Sequence, residues 1–205
     1  MRYNDSQSTR RSGLNHHQHF DPRLASVDYL RREHLTRGQI YVVYEIEERE
    51  VEELLLELSE AKHMGLKRLD LRINSPGGDA YGAMAVYDTL VAMRKEGVSI
   101  DATVEGLAAS AAAMVLLQAA EHRYARPHAR FLLHEVRRWV TFQDERTSDL
   151  QDVGREMNAL EAMIVGILAE RCRKTEEEVK RVIERREAWM SAQEALDFGL
   201  IDRIL

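Results

Sequence analysis

Hydrophobic and polar positions change period several times along this chain. From Gln39 to Ile46 the run QIYVVYEI is apolar, β-branched and aromatic, the composition of a buried strand. Val51, Leu54, Leu55 and Leu58 follow at the spacing that puts them on one face of a helix. Leu69 to Asn74 predicts a second strand, which runs into Ser75-Pro76-Gly77-Gly78. A helix starting near Ala80 carries Met84, Tyr87, Leu90 and Val91 on one side, and roughly Val98 to Val104 predicts a third strand. Strand and helix in alternation predict right-handed crossovers and a mostly parallel sheet. That is an α/β fold, with ligand groups gathered where strands run into helices.

Two further apolar patterns matter. Leu107 to Ala120 is the longest apolar stretch, interrupted by Ser110 and Gln118. It is shorter than the roughly 20 residues a membrane span needs, and it predicts a buried helix with Ser110 at a strand-to-helix junction. Leu150, Val153, Met157, Leu160, Met163, Ile164, Ile167 and Leu168 recur at helical spacing and predict one long helix. Its stripe is either core or, on a helix projecting from the domain, a surface for another subunit.

The first 24 residues break from these patterns. They are polar and rich in Ser, Asn, Gln and His, which predicts a flexible tail ahead of a single domain over residues 25–205. No apolar run of the secretory kind occurs in the first twenty residues, so export is not expected. His16, His17 and His19 sit in this tail without the fixed geometry that selects a metal ion, and no metal site is expected there.

Composition narrows the class. With 205 residues, 44% hydrophobic and 31% charged, the chain has the make-up of an ordinary globular domain with a sizeable core. A formal charge of -6 gives no basic footprint for nucleic acid. The single cysteine, Cys172, excludes an internal disulfide and fits a reducing, cytoplasmic setting. Arg171 and Arg173 beside it could lower its pKa, although free cysteines are more often packing residues.

Three segments carry candidate chemistry. In Ser75-Pro76-Gly77-Gly78 the paired glycines permit positive φ and let a backbone amide point at a ligand, while the helix starting behind them adds a favourable dipole. Alone, this reads first as a strand-to-helix turn. Ser110, within Gly106-Leu107-Ala108-Ala109-Ser110-Ala111-Ala112-Ala113, is either a helix cap or a nucleophile. The small residues around it would let a substrate backbone approach and would leave the Ala111 amide accessible, the geometry that follows other nucleophilic serines. His134 closes the apolar run Phe131-Leu132-Leu133, as a structural histidine or as a base. A serine hydroxyl near its free pKa is a poor nucleophile; it needs a histidine to take the proton and rigid amides for the developing oxyanion. These segments together contain all three parts.

Taken in order, SPGG, GLAAS, ARPHARFLLHE and WMSAQEALDFGLID resemble the proteolytic subunit of the Clp protease, the ClpP family, over roughly Tyr29 to Leu205. The resemblance implies a ClpP/crotonase-type fold of repeated β-β-α units with a long handle helix. It implies hydrolysis of peptide bonds in unfolded proteins or peptides inside two stacked seven-membered rings, with an ATP-driven Clp-type unfoldase as partner and no cofactor. By motif position Ser110 corresponds to the nucleophile, His134 to the base, and the amides of Gly78 and Ala111 to the oxyanion hole.

The chain departs from the family pattern in three places. Glu187 stands where most members have the triad aspartate; a glutamate can orient a histidine, but its extra methylene needs a different backbone position. Its competing role is a solvated charge in the run Glu184-Arg185-Arg186-Glu187, while Glu135 is disfavoured because adjacent strand residues face opposite ways. Asp202 is expected to shape the terminal turn. After His134 the family usually has Gln-Pro and a glycine-rich stretch, and here the residues are Glu135-Val136-Arg137-Arg138-Trp139-Val140-Thr141-Phe142, so the substrate groove should differ. The N-terminal region does not match the family's axial loop. Two alternatives therefore accompany the peptidase: a catalytically weak or silent ring subunit, and a crotonase-like acyl-CoA enzyme using the same paired amides, against which the serine and histidine both argue.

Overall fold

The computed structural model describes residues 22–137, 147–184 and 187–205. The tail histidines and the segment from Arg138 to Phe142 lie outside the described residues.

A helix α1 (Pro22–Thr36) leads into strand β1 (Gln39–Val42), helix α2 (Glu48–His63), strand β2 (Arg68–Ser75), helix α3 (Ala80–Lys95) and strand β3 (Ser99–Ala109). A short helix α4 (Ala111–Met114) and a 3₁₀ turn (Leu116–Ala119) follow, then strands β4 (His122–Ala125) and β5 (Arg130–Leu133). The long helix α5 (Thr147–Cys172), helix α6 (Glu176–Ile183), strand β6 (Ala188–Ser191), helix α7 (Ala192–Phe198) and strand β7 (Arg203–Ile204) complete the order.

The predicted parallel sheet is present. Strands β1-β2-β3-β4-β7 lie side by side, every pair parallel. Residues Leu69, Leu71 and Ile73 of β2 point into the core, while Arg68, Asp70 and Arg72 alternate outward and pair with β3 carboxylates or with each other. Helix α2 buries Leu54, Leu58 and Ala61, and α3 buries Ala83, Val86, Leu90 and Met93. Asp79 caps α3 by accepting from the amides of Tyr81 and Gly82, each at 3.0 Å.

Strand β3 has two successive neighbours. Asp101 to Val104 pair with β4, and Leu107 to Ala109 pair with β5, which in turn pairs antiparallel with β6. Where β3 changes partner its register against β2 also slips between Ile73 and Ser75. The Asn74 side chain covers that slip by accepting from the Leu107 amide at 2.9 Å. The result is a second, smaller leaf of sheet whose end delivers Ser110 and His134 to the same place.

Some expectations change in detail. The apolar stretch 107–120 is not one helix: it is the end of β3, α4 and the 3₁₀ turn, all buried from Ala111 to Ala120. Periodicity cannot separate strand from helix in a run that is apolar on every side. Strand β1 stops at Val42, and Ile46 makes only an isolated bridge to Gly78. The long helix spans 26 residues, and its stripe divides. Leu160, Ile164, Val165, Leu168 and Cys172 are buried, whereas Leu150 is 43% exposed and nothing from Asp149 to Ala159 is buried. The core reading of the stripe thus holds for the second half of α5, while the first half is left uncovered by the described residues.

Behind α4 lies a polar support. Gln118 donates to the Ala113 carbonyl at 2.9 Å and accepts from Arg123 at 2.7 Å. The buried Arg123 guanidinium also grips Asp202 at 2.6 Å and 3.1 Å, and the Arg123 amide donates to the same carboxylate at 2.8 Å. Asp202 does fix the terminal turn, by tying β7 to β4. Burial would raise its carboxyl, but the hydrogen bonds and charge of Arg123 outweigh that and hold it below the usual range. Cys172 packs nearby. Burial pushes its thiol up to about 11 despite the neighbouring cations, so desolvation wins and the residue is a packing group.

Candidate active site

Strand β3 ends and α4 begins on either side of Ser110, which adopts φ 53 and ψ -129. A non-glycine residue at positive φ is strained, and this one is held because its surroundings are fixed. The Ser110 amide donates to the Leu132 carbonyl at 2.9 Å, and the amides of Ala113 and Met114 return to the Ser110 carbonyl. Ala108, Ala109, Ala111, Ala112 and Ala113 around it are all buried. The small side chains let the turn sit inside the core, leaving the hydroxyl at its surface.

The Ser75-Pro76-Gly77-Gly78 turn is pinned from the other side. Ile46 donates to the Gly77 carbonyl and accepts from the Asp79 amide, both at 2.7 Å, so Ile46 bridges Gly78 in parallel register. In that pattern the residue opposite the bridge aims its own N–H away from its partner. The Gly78 amide therefore faces away from Ile46, and Gly78 lines one cavity with Ser110. Only glycine fits here: a Cβ on Gly78 would stand 2.2 Å from the Ile46 carbonyl oxygen, and one on Gly77 would stand 2.5 Å from the Ala109 oxygen. Neither the Gly78 nor the Ala111 amide has a hydrogen-bond partner among the described residues.

His134 follows β5, two residues beyond the carbonyl that holds Ser110. Its side chain and Ser110 line one cavity of about 50 Å³ with Gly78, Ala111, Met114 and Val136. The Nδ1 atom lies 2.5 Å from the Glu135 carbonyl oxygen. A carbonyl only accepts, so Nδ1 carries the proton, and in the neutral ring Nε2 is left with the lone pair. The arrangement thus brings together a hydroxyl, an imidazole in the tautomer of a base, and two unclaimed amides. Those groups are sufficient for acyl transfer.

The β5–β6 register, with Leu133 opposite Ala188, carries the backbone of Glu187 to the level of His134, but no hydrogen bond joins their side chains among the described residues. Glu187 precedes β6 and pairs with Arg137, whose Nη1 is 3.1 Å from its Oε1; both side chains are about half exposed. Sequence reasoning missed both Arg137 and the Glu135 carbonyl. Arg137 had a signal, since it lies in the segment that departs from the family pattern. A backbone carbonyl has none. Beside the small cavity runs a groove of about 820 Å³, sharing Gly78, Ala80, Val136 and Arg137 with it and continuing past Ile46, Met157 and Leu160. No metal-binding group of three or more His, Cys, Asp or Glu occurs among the described residues. None of their helices is long and apolar enough to cross a membrane.

A parallel sheet that presents a serine at a strained strand-to-helix turn, in one cavity with a histidine and two residues whose amides have no described partner, defines a class of α/β folds that can carry hydrolytic chemistry. Comparison with known proteins narrows that class: the Clp protease family model matches residues 25–205, and the chain belongs to the Clp protease family. It is 33% identical over 140 residues to the ATP-dependent Clp protease proteolytic subunit of Porphyromonas gingivalis, covering 68% of this chain and 60% of that protein. It is 37% identical over 134 residues to the ATP-dependent Clp protease proteolytic subunit 1 of Chlamydia muridarum, covering 65% and 67%. The Bacteroides thetaiotaomicron subunit is 34% identical over 140 residues, covering 68% and 60%. The matches thus span about three-fifths to two-thirds of these relatives' own length.

Proposed function

We propose that this chain is a serine endopeptidase subunit that hydrolyses peptide bonds through an acyl-enzyme on Ser110. The observation that carries the reading is the meeting of Ser110, His134 and the unclaimed amides of Gly78 and Ala111 around one cavity. A peptide lying in the adjoining groove would present its carbonyl carbon to Ser110 Oγ, with its oxygen between the two amides. His134 Nε2 takes the hydroxyl proton as the bond forms and returns it to the departing amine. Water, deprotonated by the same nitrogen, then releases the acyl group. Glu187 is the third member of this set, orienting His134 and stabilising its cation once it leaves Arg137.

The subunit works in an oligomeric chamber in the cytoplasm, with heptameric rings, the outer half of α5 as ring-to-ring handle, and a Clp-type ATPase feeding it unfolded protein. The exposure of α5 from Asp149 to Ala159 supports this assembly. The silent-subunit reading also has an observation in its favour, the engagement of Glu187 with Arg137. Fluorophosphonate labelling read by intact mass decides between them. Single-site labelling that Ser110→Ala removes, with rings intact, is expected of the peptidase. Absence of labelling on well-formed rings would make the subunit silent.

A further inference from the structure

The site contains two acceptors for one proton. His134 Nδ1 carries a single N–H, and the Glu135 carbonyl holds it at 2.5 Å. The carboxylate placed by motif to receive that N–H, Glu187, is instead bound to Arg137. Arg137 is no distant residue: it lines the same cavity as Ser110 and His134 and also the groove beside it. One residue thus lines the cavity of Ser110 and His134 and the groove beside it, while its guanidinium occupies the carboxylate that would complete the set.

Resting on the reading that Ser110 and His134 form a peptidase site, we infer that Arg137 is a positioning residue that restrains this enzyme by withholding Glu187 from His134. In the restrained arrangement the Glu135 carbonyl fixes the productive tautomer, so the base remains competent. A neutral carbonyl, however, stabilises the imidazolium formed during acylation less than a carboxylate does, because only the carboxylate sets an opposite charge against the developing cation. The restrained site is therefore slow rather than dead. Release requires only that Glu187 exchange Arg137 for His134. The Arg137–Glu187 pair is well placed for such an exchange: the side chains are 59% and 47% exposed, and exposed ion pairs are weak and screened by salt. A substrate carboxylate or backbone carbonyl entering the groove could also take the guanidinium, which would couple occupancy to release.

The test compares full-length wild type, Arg137→Gln, Glu187→Gln and the double variant, assembled as purified. Each is measured for kcat and KM on a fluorogenic peptide from low to about 0.5 M NaCl, with fluorophosphonate labelling in parallel. Wild-type kcat should rise with salt as the ion pair is screened, by up to about fivefold. Arg137→Gln should begin at the raised kcat and show no salt response. Glu187→Gln should be slow at all salt concentrations, and adding Arg137→Gln to it should restore nothing. A merely structural Arg137 would leave the salt dependence of kcat as in wild type, and that result overturns the inference. Wild-type and both single variants with equal kcat would also overturn it, assigning orientation of His134 to the Glu135 carbonyl alone, while persistent Ser110 labelling would keep the peptidase reading intact. Absence of labelling in wild type and Arg137→Gln alike removes both.

Discussion

The two sides of the candidate site are built differently. On the nucleophile side, Ser110, Gly77 and Gly78 are held by backbone hydrogen bonds to Leu132 and Ile46 and by close contacts that admit no extra methyl group. Buried alanines surround the turn, and Gln118, Arg123 and Asp202 brace it from behind. On the proton-transfer side, His134, Arg137 and Glu187 sit in the half-buried to exposed segments after β5 and before β6, and their side chains are held by one contact from His134 to the Glu135 carbonyl and one surface ion pair between Arg137 and Glu187. Oxyanion stabilisation works only if the donors are fixed before the reaction, so that side must be over-determined. Proton transfer needs one correct hydrogen bond, which a mobile carboxylate can supply or withhold. Rigidity is concentrated where preorganisation does the chemistry, and adjustability where regulation is possible.

The largest effect that would sharpen this contrast is expected from Gly78→Ala. Its methyl would meet the Ile46 carbonyl oxygen at 2.2 Å, and the φ of 143° is one L side chains rarely adopt, so the bridge to Ile46 must break and the amide must turn. On the proposed role of the Gly78 amide as an oxyanion donor, its loss should lower peptide-hydrolysis kcat by about 10²–10³. Near-normal kcat in Gly78→Ala would show that the amide side tolerates displacement.

Next comes the brace. Asp202→Asn leaves the buried Arg123 guanidinium without its charge partner; Arg123 is only 6% exposed in its side chain, Asp202 40%. Water screens part of the Asp202 side, so about 1–3 kcal/mol of destabilisation is expected at neutral pH, less than for a fully buried pair. Because the folded carboxyl titrates below its unfolded value, this stabilisation is complete above about pH 4 and disappears as pH falls through the folded value. Urea unfolding of both proteins should therefore differ most near neutral pH and converge in acid. A difference independent of pH would mean that shape, and not charge, supports the turn.

How legible these two sides were in the sequence follows the same division. The nucleophile side is written in local residue choice: glycines that must be glycine, alanines that must be small, and a serine placed between a strand and a helix. Strand β2 was readable because Leu69, Leu71 and Ile73 alternate with polar residues, whereas the run from Leu107 to Ala120 hid its division because every face is apolar. The β3 partner change, which brings Ser110 to Leu132, rests on the register slip at Asn74, and no residue pattern announces a slip. The proton-transfer side depends on which of several charged side chains meet in space. Glu187 was a candidate by motif, with a surface charge as its competing role, and only the fold shows it beside Arg137.

The smallest expected effect is the stability change on breaking that ion pair. Arg137→Gln removes an exposed contact worth below about 1 kcal/mol, so its melting temperature should match wild type within a few degrees. This small number carries weight because the same substitution is expected to change kcat and abolish its salt response. A residue that only held the chain together would shift stability at least as much as rate, since its effect on His134 would pass through the fold. Calorimetry of Arg137→Gln on the protein used for kinetics therefore completes the comparison. An unchanged melt with altered kcat places Arg137 among groups that act on the reaction; a large drop in melting temperature would move it to the packed side of the molecule and erase the contrast between the two.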